Sequence, residues 1–114
     1  MILFLISAAF ALPGQMTTSW YGEKFAGRQT ANGEIFDPNL LTAAHKTLPF
    51  GTRLELTNPE TKQSVVVRVN DRGPFIKGRH LDVSRAAAEA LGFKDNGVAK
   101  LRVKELKDHK ESNE

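Results

Sequence analysis

Apolar and polar residues alternate along several short stretches of the chain, which is the pattern of half-buried β-strands. The alternation is clearest in two stretches, 64–70 and 97–106, whose apolar faces carry Val65, Val67 and Val69 or Ala99, Leu101 and Val103. Further strands are predicted at residues 17–21, 40–45 and 52–57, bounded by turns rich in glycine, proline or asparagine. The pattern predicts a mainly β fold, a small barrel of about six strands.

Turns and one helix are predicted between these strands. Asn32-Gly33 is typical of a type I′ turn, because both residues tolerate a positive φ. The segment NPET at residues 58–61 is expected to form a hairpin loop. One helix is predicted for the alanine-rich stretch RAAAEALG, with Ser84 as its N-cap and Gly92 as the residue that ends it.

The first residues differ from the rest of the chain. Residues 2–12 read ILFLISAAFAL, an uncharged run that is shorter than the roughly 20 residues needed to span a bilayer. Such a run suits a secretory signal, and AFA at residues 9–11 provides a cleavage pattern of small residues. The alternative interpretation of residues 2–12 is a buried first strand of the barrel. We therefore predict an exported protein with a leader at 1–16, a barrel domain at 17–106 and a polar tail at 107–114.

Composition narrows the possible functions. The 114 residues are enough for one domain, and 40% hydrophobic and 25% charged residues are ordinary for a globular protein. Lysine and arginine exceed aspartate and glutamate by 16 to 13, a net charge of +3 that favours an anionic partner only slightly. The absence of cysteine excludes a disulfide framework, a thiolate zinc site, a thiol nucleophile and a lipidated cysteine, so no lipid anchor is expected.

Five residues at predicted turns and strand ends are candidates for chemistry, because functional groups are commonly displayed there. They are Glu34, Asp37, His45, Asp71 and Asp82. Cleavage of a glycosidic bond needs a carboxylic acid that is protonated at the working pH, and hydrolysis also needs a second carboxylate. Sequence spacing does not show which of the five side chains converge.

Each candidate also has a structural interpretation. Asp37 precedes a proline and would form an Asx-turn, and Glu34 would be a solvated turn residue. Asp71 would hold its turn through bonds to the backbone, and Asp82 would complement the positive end of the following helix. His45 would be a hydrogen-bonded histidine of the core.

Other chemistries have less support in the sequence. His45, His80 and His109 lack the spacing of metal ligands, so no metal site is predicted. The chain contains no G-x-S-x-G motif and no glycine-rich phosphate loop. The basic residues of the last strand form one solvated face, so no nucleic-acid partner is expected. The domain is expected to be a monomer.

Four motifs in matching order resemble those of the rare lipoprotein A family. They read SWYGEKFAGRQTANGEIFD, LTAAHKTLPFGTRLELTN, VVVRVNDRGPF and GRHLDVSRAAAEALG, and the match covers residues 18–106. The resemblance implies a six-stranded double-psi β-barrel with one short helix, placed in the periplasm or cell wall. It further implies a lytic transglycosylase that cleaves MurNAc–GlcNAc β-1,4 bonds within peptidoglycan strands and leaves 1,6-anhydro-MurNAc ends. Such an enzyme prefers strands without stem peptides and needs no cofactor.

The same resemblance implies catalytic residues. The family's acidic signature falls on Glu34 and Asp37, and its histidine falls on His45. Its N-D-R-G-P motif places Asp71 at the cleft, and Asp82 lies in a His-Leu-Asp motif like that of barrels in expansins and some cellulases. The resulting hypothesis takes Asp37 and Glu34 first as acid and base, oriented by His45, with the other two aspartates lining the cleft.

Glycan binding is expected from Thr30 and Arg72 through hydrogen bonds and from Tyr21 through stacking. The principal alternative function is a non-catalytic, expansin-like barrel that binds glycan in the cell wall without cutting it. A purely structural cell-wall protein is a third possibility, favoured if no cleft exists beside Glu34 and Asp37. The enzyme requires an acid that is protonated against the bound glycosidic oxygen, a feature that sequence does not show.

Overall fold

Six β-strands and one short α-helix build the computed structural model, which describes residues 14–107. In chain order the strands are β1 (Gln15–Trp20), β2 (Thr42–Ala44), β3 (Arg53–Thr57), β4 (Ser64–Asp71), β5 (Leu81–Val83) and β6 (Val98–Leu106). The helix α1 spans Arg85–Ala90, and a 3-10 turn spans Glu23–Phe25. The predicted mainly β fold with one short helix is therefore confirmed.

The strands close into a barrel in the order β1-β5-β2-β4-β3-β6. The pairs β1–β5 and β2–β4 are parallel, and the other neighbouring pairs are antiparallel. Two connections carry most of the predicted site residues: residues 21–41 between β1 and β2, and residues 72–80 between β4 and β5.

Alternate residues of the strands fill the barrel. In β4, Val67 and Val69 are fully buried and Val65 packs against the same core, as the alternation predicts. In β6, Leu101 is fully buried, with Ala99 and Val103 beside it. Burial of each such aliphatic side chain contributes about 1.5–3 kcal/mol. The core therefore lies inside the barrel and leaves the other face of each strand for solvent or for a site.

The caps of α1 agree with the prediction. Ser84 Oγ accepts the backbone N–H of Ala87 at 3.3 Å and donates to the carbonyl of Leu40 at 2.6 Å, which ties the helix to the first connection. Gly92 follows the helix with φ +78°, a conformation that L side chains rarely adopt. A Cβ there would also lie 2.9 Å from Thr61 Cγ2, so both backbone and space favour glycine.

The Asn32-Gly33 turn differs from its prediction. Among the described residues, Gly33 has a positive φ of +96° and Asn32 does not, so the type I′ prediction is wrong. The carbonyl of Thr30 accepts the N–H of Gly33, and the N–H of Thr30 donates to the carbonyl of Glu34. This is a three-residue loop, which needs only one left-handed residue, at its last position.

The barrel begins slightly earlier than predicted. β1 starts at Gln15, and Met16 is buried in the core, whereas the sequence placed the start of the domain at residue 17. The predicted leader falls mostly on residues 1–13, which lie outside the described part of the chain, as do residues 108–114 of the predicted tail. Between residues 14 and 107, no helix is long and apolar enough to cross a membrane.

Candidate active site

A cleft of about 380 Å³ lies on the barrel wall. Its floor comprises Tyr21, which directly follows β1, together with Ala44 of β2, Asp82 of β5 and Asp71 at the end of β4. One of its two walls is the connection 21–41, and the other is the connection 72–80. The two connections that carry the predicted site residues therefore face each other across one cleft.

Strand alternation places Asp82 on the floor of this cleft. Its neighbours Leu81 and Val83 are fully buried in the barrel core, so the side chain between them points to the opposite face. Asp82 pairs with Ser19 on β1 and with Ala44 on β2, and Ser19 Oγ donates a hydrogen bond to Asp82 Oδ1. The backbone of Asp82 is therefore held by a strand on each side, and its carboxyl is oriented by Ser19.

A small residue separates two carboxyl groups. Ala44 pairs with Asp82 on one side and with Asp71 at the end of β4 on the other, and all three line the cleft. Since neighbouring strands lie about 4.8 Å apart, the two aspartate Cα atoms are roughly 10 Å apart. The methyl group of Ala44 leaves open the space between the two acids.

The environment of Asp82 favours its neutral form. Burial raises the pKa of Asp82 above the usual aspartate range, and the charge of Asp71 raises it further. The hydrogen bond from Ser19 and the charge of Arg79 act in the opposite direction without cancelling the rise. A carboxyl that holds its proton at higher pH is suited to act as a general acid.

Asp71 and Tyr21 are two further polar residues of the cleft. Asp71 Oδ1 accepts the backbone N–H groups of Ala31 at 2.9 Å and of Arg72 at 2.8 Å, so this carboxylate is held in one position. Burial raises the pKa of Tyr21, and the charges of Asp71 and Asp82 add to that rise, so the phenol keeps its proton. The ring stacks on Phe36 with centroids 4.7 Å apart.

Glu34 is engaged in holding the wall of the cleft. Its carboxylate receives two hydrogen bonds from Arg68, at 2.6 and 3.0 Å, and one each from Asn70 and Asn32. These hydrogen bonds, led by those from Arg68, lower the pKa of Glu34 to about 2. The side chain is ionised at any working pH and is absent from the cleft lining. The solvated-turn interpretation is therefore wrong, because these contacts dock the loop on β4.

Asp37 and His45 are also absent from the cleft lining. Asp37 is exposed, and its Oδ1 accepts the backbone N–H of Asn39 at 2.9 Å, which is the Asx-turn of the structural interpretation. His45 Nδ1 accepts the backbone N–H groups of Thr47 and Leu48, each at 3.1 Å. Burial, followed by the charge of a nearby arginine, lowers the pKa of His45. Neither side chain lines the cleft, although the backbone N–H of His45 donates to the carbonyl of Asp71 at 3.2 Å.

The residues expected to bind glycan are partly engaged elsewhere. Arg72 lines the cleft, but its Nη1 donates to the carbonyls of His45 and Leu48, and its guanidinium lies 3.9 Å from the centroid of Phe50. Thr30 is buried and donates its hydroxyl to Asn32 Oδ1 at 2.7 Å. Both side chains therefore support the loops that form the cleft.

Sequence reasoning missed several side chains of the cleft, among them Phe75, Ile76 and Arg28. Phe75 is 80% exposed and Ile76 is 55% exposed, although both line the cleft wall. Arg28 lines the opposite wall. Exposed apolar side chains on a cleft rim are suited to pack against the apolar faces of a ligand. A sugar ring presents such faces beside polar hydroxyls.

The closed six-stranded barrel with its two parallel strand pairs is a double-psi β-barrel, and it carries two acids in a cleft on its wall. Residues 14–103 match the family described as lytic transglycolase, and the chain belongs to that family.

Curated relatives carry a consistent name. A protein of Synechocystis sp., named "Probable endolytic peptidoglycan transglycosylase RlpA", is 60% identical over 83 residues, which are 73% of this chain and 26% of the relative. A Treponema pallidum protein of the same name is 49% identical over 102 residues, 90% of this chain and 32% of the relative. The chain thus spans about a quarter to a third of the length of these relatives.

A solved structure supports the fold. A mutant expansin of Clavibacter michiganensis, in complex with cellohexaose, superposes with a TM-score of 0.67 over 83% of this chain and 50% of that chain. Sequence identity is 20%, so the likeness concerns the fold alone. The six-stranded double-psi barrel implied by the sequence motifs is thereby confirmed.

Proposed function

We propose that this domain is an endolytic lytic transglycosylase that cleaves MurNAc–GlcNAc β-1,4 bonds in peptidoglycan and leaves 1,6-anhydro-MurNAc ends. The observation that carries the proposal is the half-buried Asp82 on the floor of an open cleft, where burial raises its pKa and so favours the protonated form that a general acid needs. The names of the relatives and the family match support the same chemistry. Strands without stem peptides are the preferred substrate.

Asp82 performs both proton transfers in this mechanism. Its carboxyl donates a proton to the glycosidic oxygen while the bond from that oxygen to muramyl C1 breaks. The resulting carboxylate then accepts the proton of the C6 hydroxyl of the same sugar, and O6 bonds to C1. The anhydro ring forms, Asp82 regains its proton, and no water is consumed. Because the nucleophile belongs to the substrate, the protein needs no second catalytic base.

Asp71 and Tyr21 assist from fixed positions. Positive charge develops at C1 as the glycosidic bond breaks, and the oriented carboxylate of Asp71 stabilises it at low reorganisation cost. Tyr21 keeps its phenolic proton beside both aspartates and so remains a neutral wall of the cleft. Glu34, Thr30 and Arg72 act as positioning residues, because each holds a loop that shapes the cleft.

The substrate fixes where the domain works. Peptidoglycan lies outside the cytoplasmic membrane, so the protein is exported and acts in the periplasm or cell wall. The domain acts there as a monomer on the glycan strands. Its formal net charge of +3 slightly favours association with anionic polymers of the cell wall.

The identity of the released products tests the function. The protein is incubated with peptide-stripped sacculi, and the soluble products are analysed by mass spectrometry. We expect products ending in 1,6-anhydro-MurNAc. Reducing ends would instead identify a hydrolase, in which water is activated by a second carboxylate. If the protein pellets with sacculi but releases no products, the non-catalytic glycan-binding barrel is the correct function.

Enlarging Ala44 is expected to block the site without unfolding the barrel. In Ala44→Leu, the added carbons project between Asp71 and Asp82, where the scissile bond must lie. We expect product release to fall by more than about tenfold, with a loss in free energy of unfolding of about 1–3 kcal/mol from local overpacking. Ala90→Leu, the same change at an exposed helix position, is the control. Full activity of Ala44→Leu would mean that the bond does not pass between the two acids.

A further inference from the structure

Arg28 is the charged residue of the cleft that remains available to a ligand. Four charged side chains line the cleft, and three are engaged: Asp82 with Ser19, Asp71 with backbone N–H groups, and Arg72 with backbone carbonyls. Within residues 14–107, the guanidinium of Arg28 has neither a hydrogen-bond acceptor nor an ion-pair partner, and its side chain is exposed. Its donors are therefore free for an anionic group bound in the cleft.

The protein nevertheless restricts the direction of this side chain. The backbone N–H of Arg28 donates to the carbonyl of Phe25 at 3.1 Å, and its carbonyl accepts the N–H of Phe36 at 2.7 Å. The guanidinium carbon lies 5.9 Å from the centroid of the Phe25 ring, within the range of a cation–π contact. Both the base of the side chain and its charged end are thus held at the cleft wall, so less conformational entropy is lost on binding.

We propose that Arg28 binds the free carboxylate of the lactyl group on a muramyl residue and so selects glycan strands from which the stem peptide has been removed. A guanidinium presents a planar fork of donors that matches a carboxylate in a bidentate manner. Where a stem peptide is attached, the same lactyl carboxyl is an amide, which has no charge and one oxygen fewer. The inference rests on the proposed function and names the residue that sets its substrate preference.

Lys24 provides a matched control for Arg28. Its Nζ lies 5.6 Å from the centroid of the same Phe25 ring, so it is a second cation beside that ring. Lys24 does not line the cleft. Loss of its charge changes the general field of this surface as much as loss of Arg28 does. Only an effect specific to Arg28 can therefore be assigned to direct contact with the ligand.

The test measures binding of two muramyl glycans that differ only in the lactyl group. Peptide-stripped glycan oligomers are prepared with the lactyl carboxylates either free or converted to methylamides. Dissociation constants are measured by calorimetry in the Asp82→Asn background, where the oligomers are not consumed, for the parent, Arg28→Met and Lys24→Met. We expect the parent to bind the free carboxylate form at least about tenfold more tightly than the amide form. Arg28→Met loses this preference, and Lys24→Met retains it.

The result is independent of the test of the proposed function. Anhydro products from the wild-type protein report on catalysis, whereas the ratio of dissociation constants reports on Arg28 whether or not a bond is cut. The inference is overturned if the parent shows no preference or if Arg28→Met keeps it. It is also overturned if Arg28→Met weakens binding of both forms equally, since Arg28 would then act through the loop and not on the carboxylate.

Discussion

Asp82→Asn is expected to abolish release of anhydro products while leaving the barrel intact. Asparagine occupies the same volume and keeps an oxygen that accepts the hydrogen bond from Ser19, but it has no proton to donate to the glycosidic oxygen. The expected loss is about 100- to 10,000-fold in product release, the contribution of a positioned general acid. The measurement is the initial rate of product release from peptide-stripped sacculi, compared between variant and wild type.

Asp82→Asn is also expected to leave the protein as stable as the wild type, or more stable, at neutral pH. The folded-state pKa of Asp82 lies above its unfolded value of 3.8. At a pH between these two pKa values, the folded protein therefore binds more protons than the unfolded chain does. The free energy of unfolding therefore decreases as the pH rises through this interval. Asparagine has no such dependence. Thermal unfolding of both proteins should show a difference at pH 7 that disappears below the unfolded pKa.

Asp71→Asn serves as the comparison for Asp82→Asn. It removes a charge from the same cleft but keeps the general acid, Asp82. Product release should therefore fall less than in Asp82→Asn, and its rate should still depend on the protonated form of Asp82. If Asp82→Asn retains activity while Asp71→Asn loses all of it, the roles of the two aspartates are reversed. If both retain activity, neither carboxyl transfers the proton.

Local sequence patterns were sufficient for the regular elements. The alternation at Val65, Val67 and Val69 specified β4, and Ser84 and Gly92 marked both ends of the helix. β5 was not located from its own residues, because three residues are too few to establish a period of two. Its place between β1 and β2 depends on contacts with residues more than 35 positions away along the chain.

The site was predictable as a set of residues but not as an arrangement. The motifs included Asp71 and Asp82 among the candidates. The hypothesis drawn from them nevertheless assigned the roles of acid and base first to Asp37 and Glu34. What separates these residues is burial and hydrogen bonding, and both are properties of the closed barrel. The exposed Phe75 follows the N-D-R-G-P motif directly, so an apolar residue inside a polar connection was the available signal for the cleft rim.

Glu34→Gln is expected to destabilise the protein and to change its behaviour in acid. The pKa of Glu34 falls from 4.5 in the unfolded chain to about 2 in the folded protein, so ionised Glu34 stabilises the fold above pH 4.5. That stabilisation is lost as the pH falls from 4.5 towards 2. Glutamine loses the ion pair with Arg68. Because both side chains are 39% exposed and screened by water, we expect a loss of about 1–2 kcal/mol at neutral pH. Glu60→Gln, at an exposed loop position, is the control.

The pH dependence of catalysis decides whether Glu34 positions the loop or transfers the proton. If Glu34 positions the loop, Glu34→Gln lowers the rate, but the decrease in rate at high pH, which reflects loss of the proton from Asp82, stays at the same pH. If Glu34 is the general acid, activity is lost at every pH, and no folded variant with glutamine at this position releases products. A carboxylate with a pKa of about 2 that receives hydrogen bonds from Arg68, Asn70 and Asn32 has no proton to give near neutral pH. We therefore expect a lower rate with an unchanged profile.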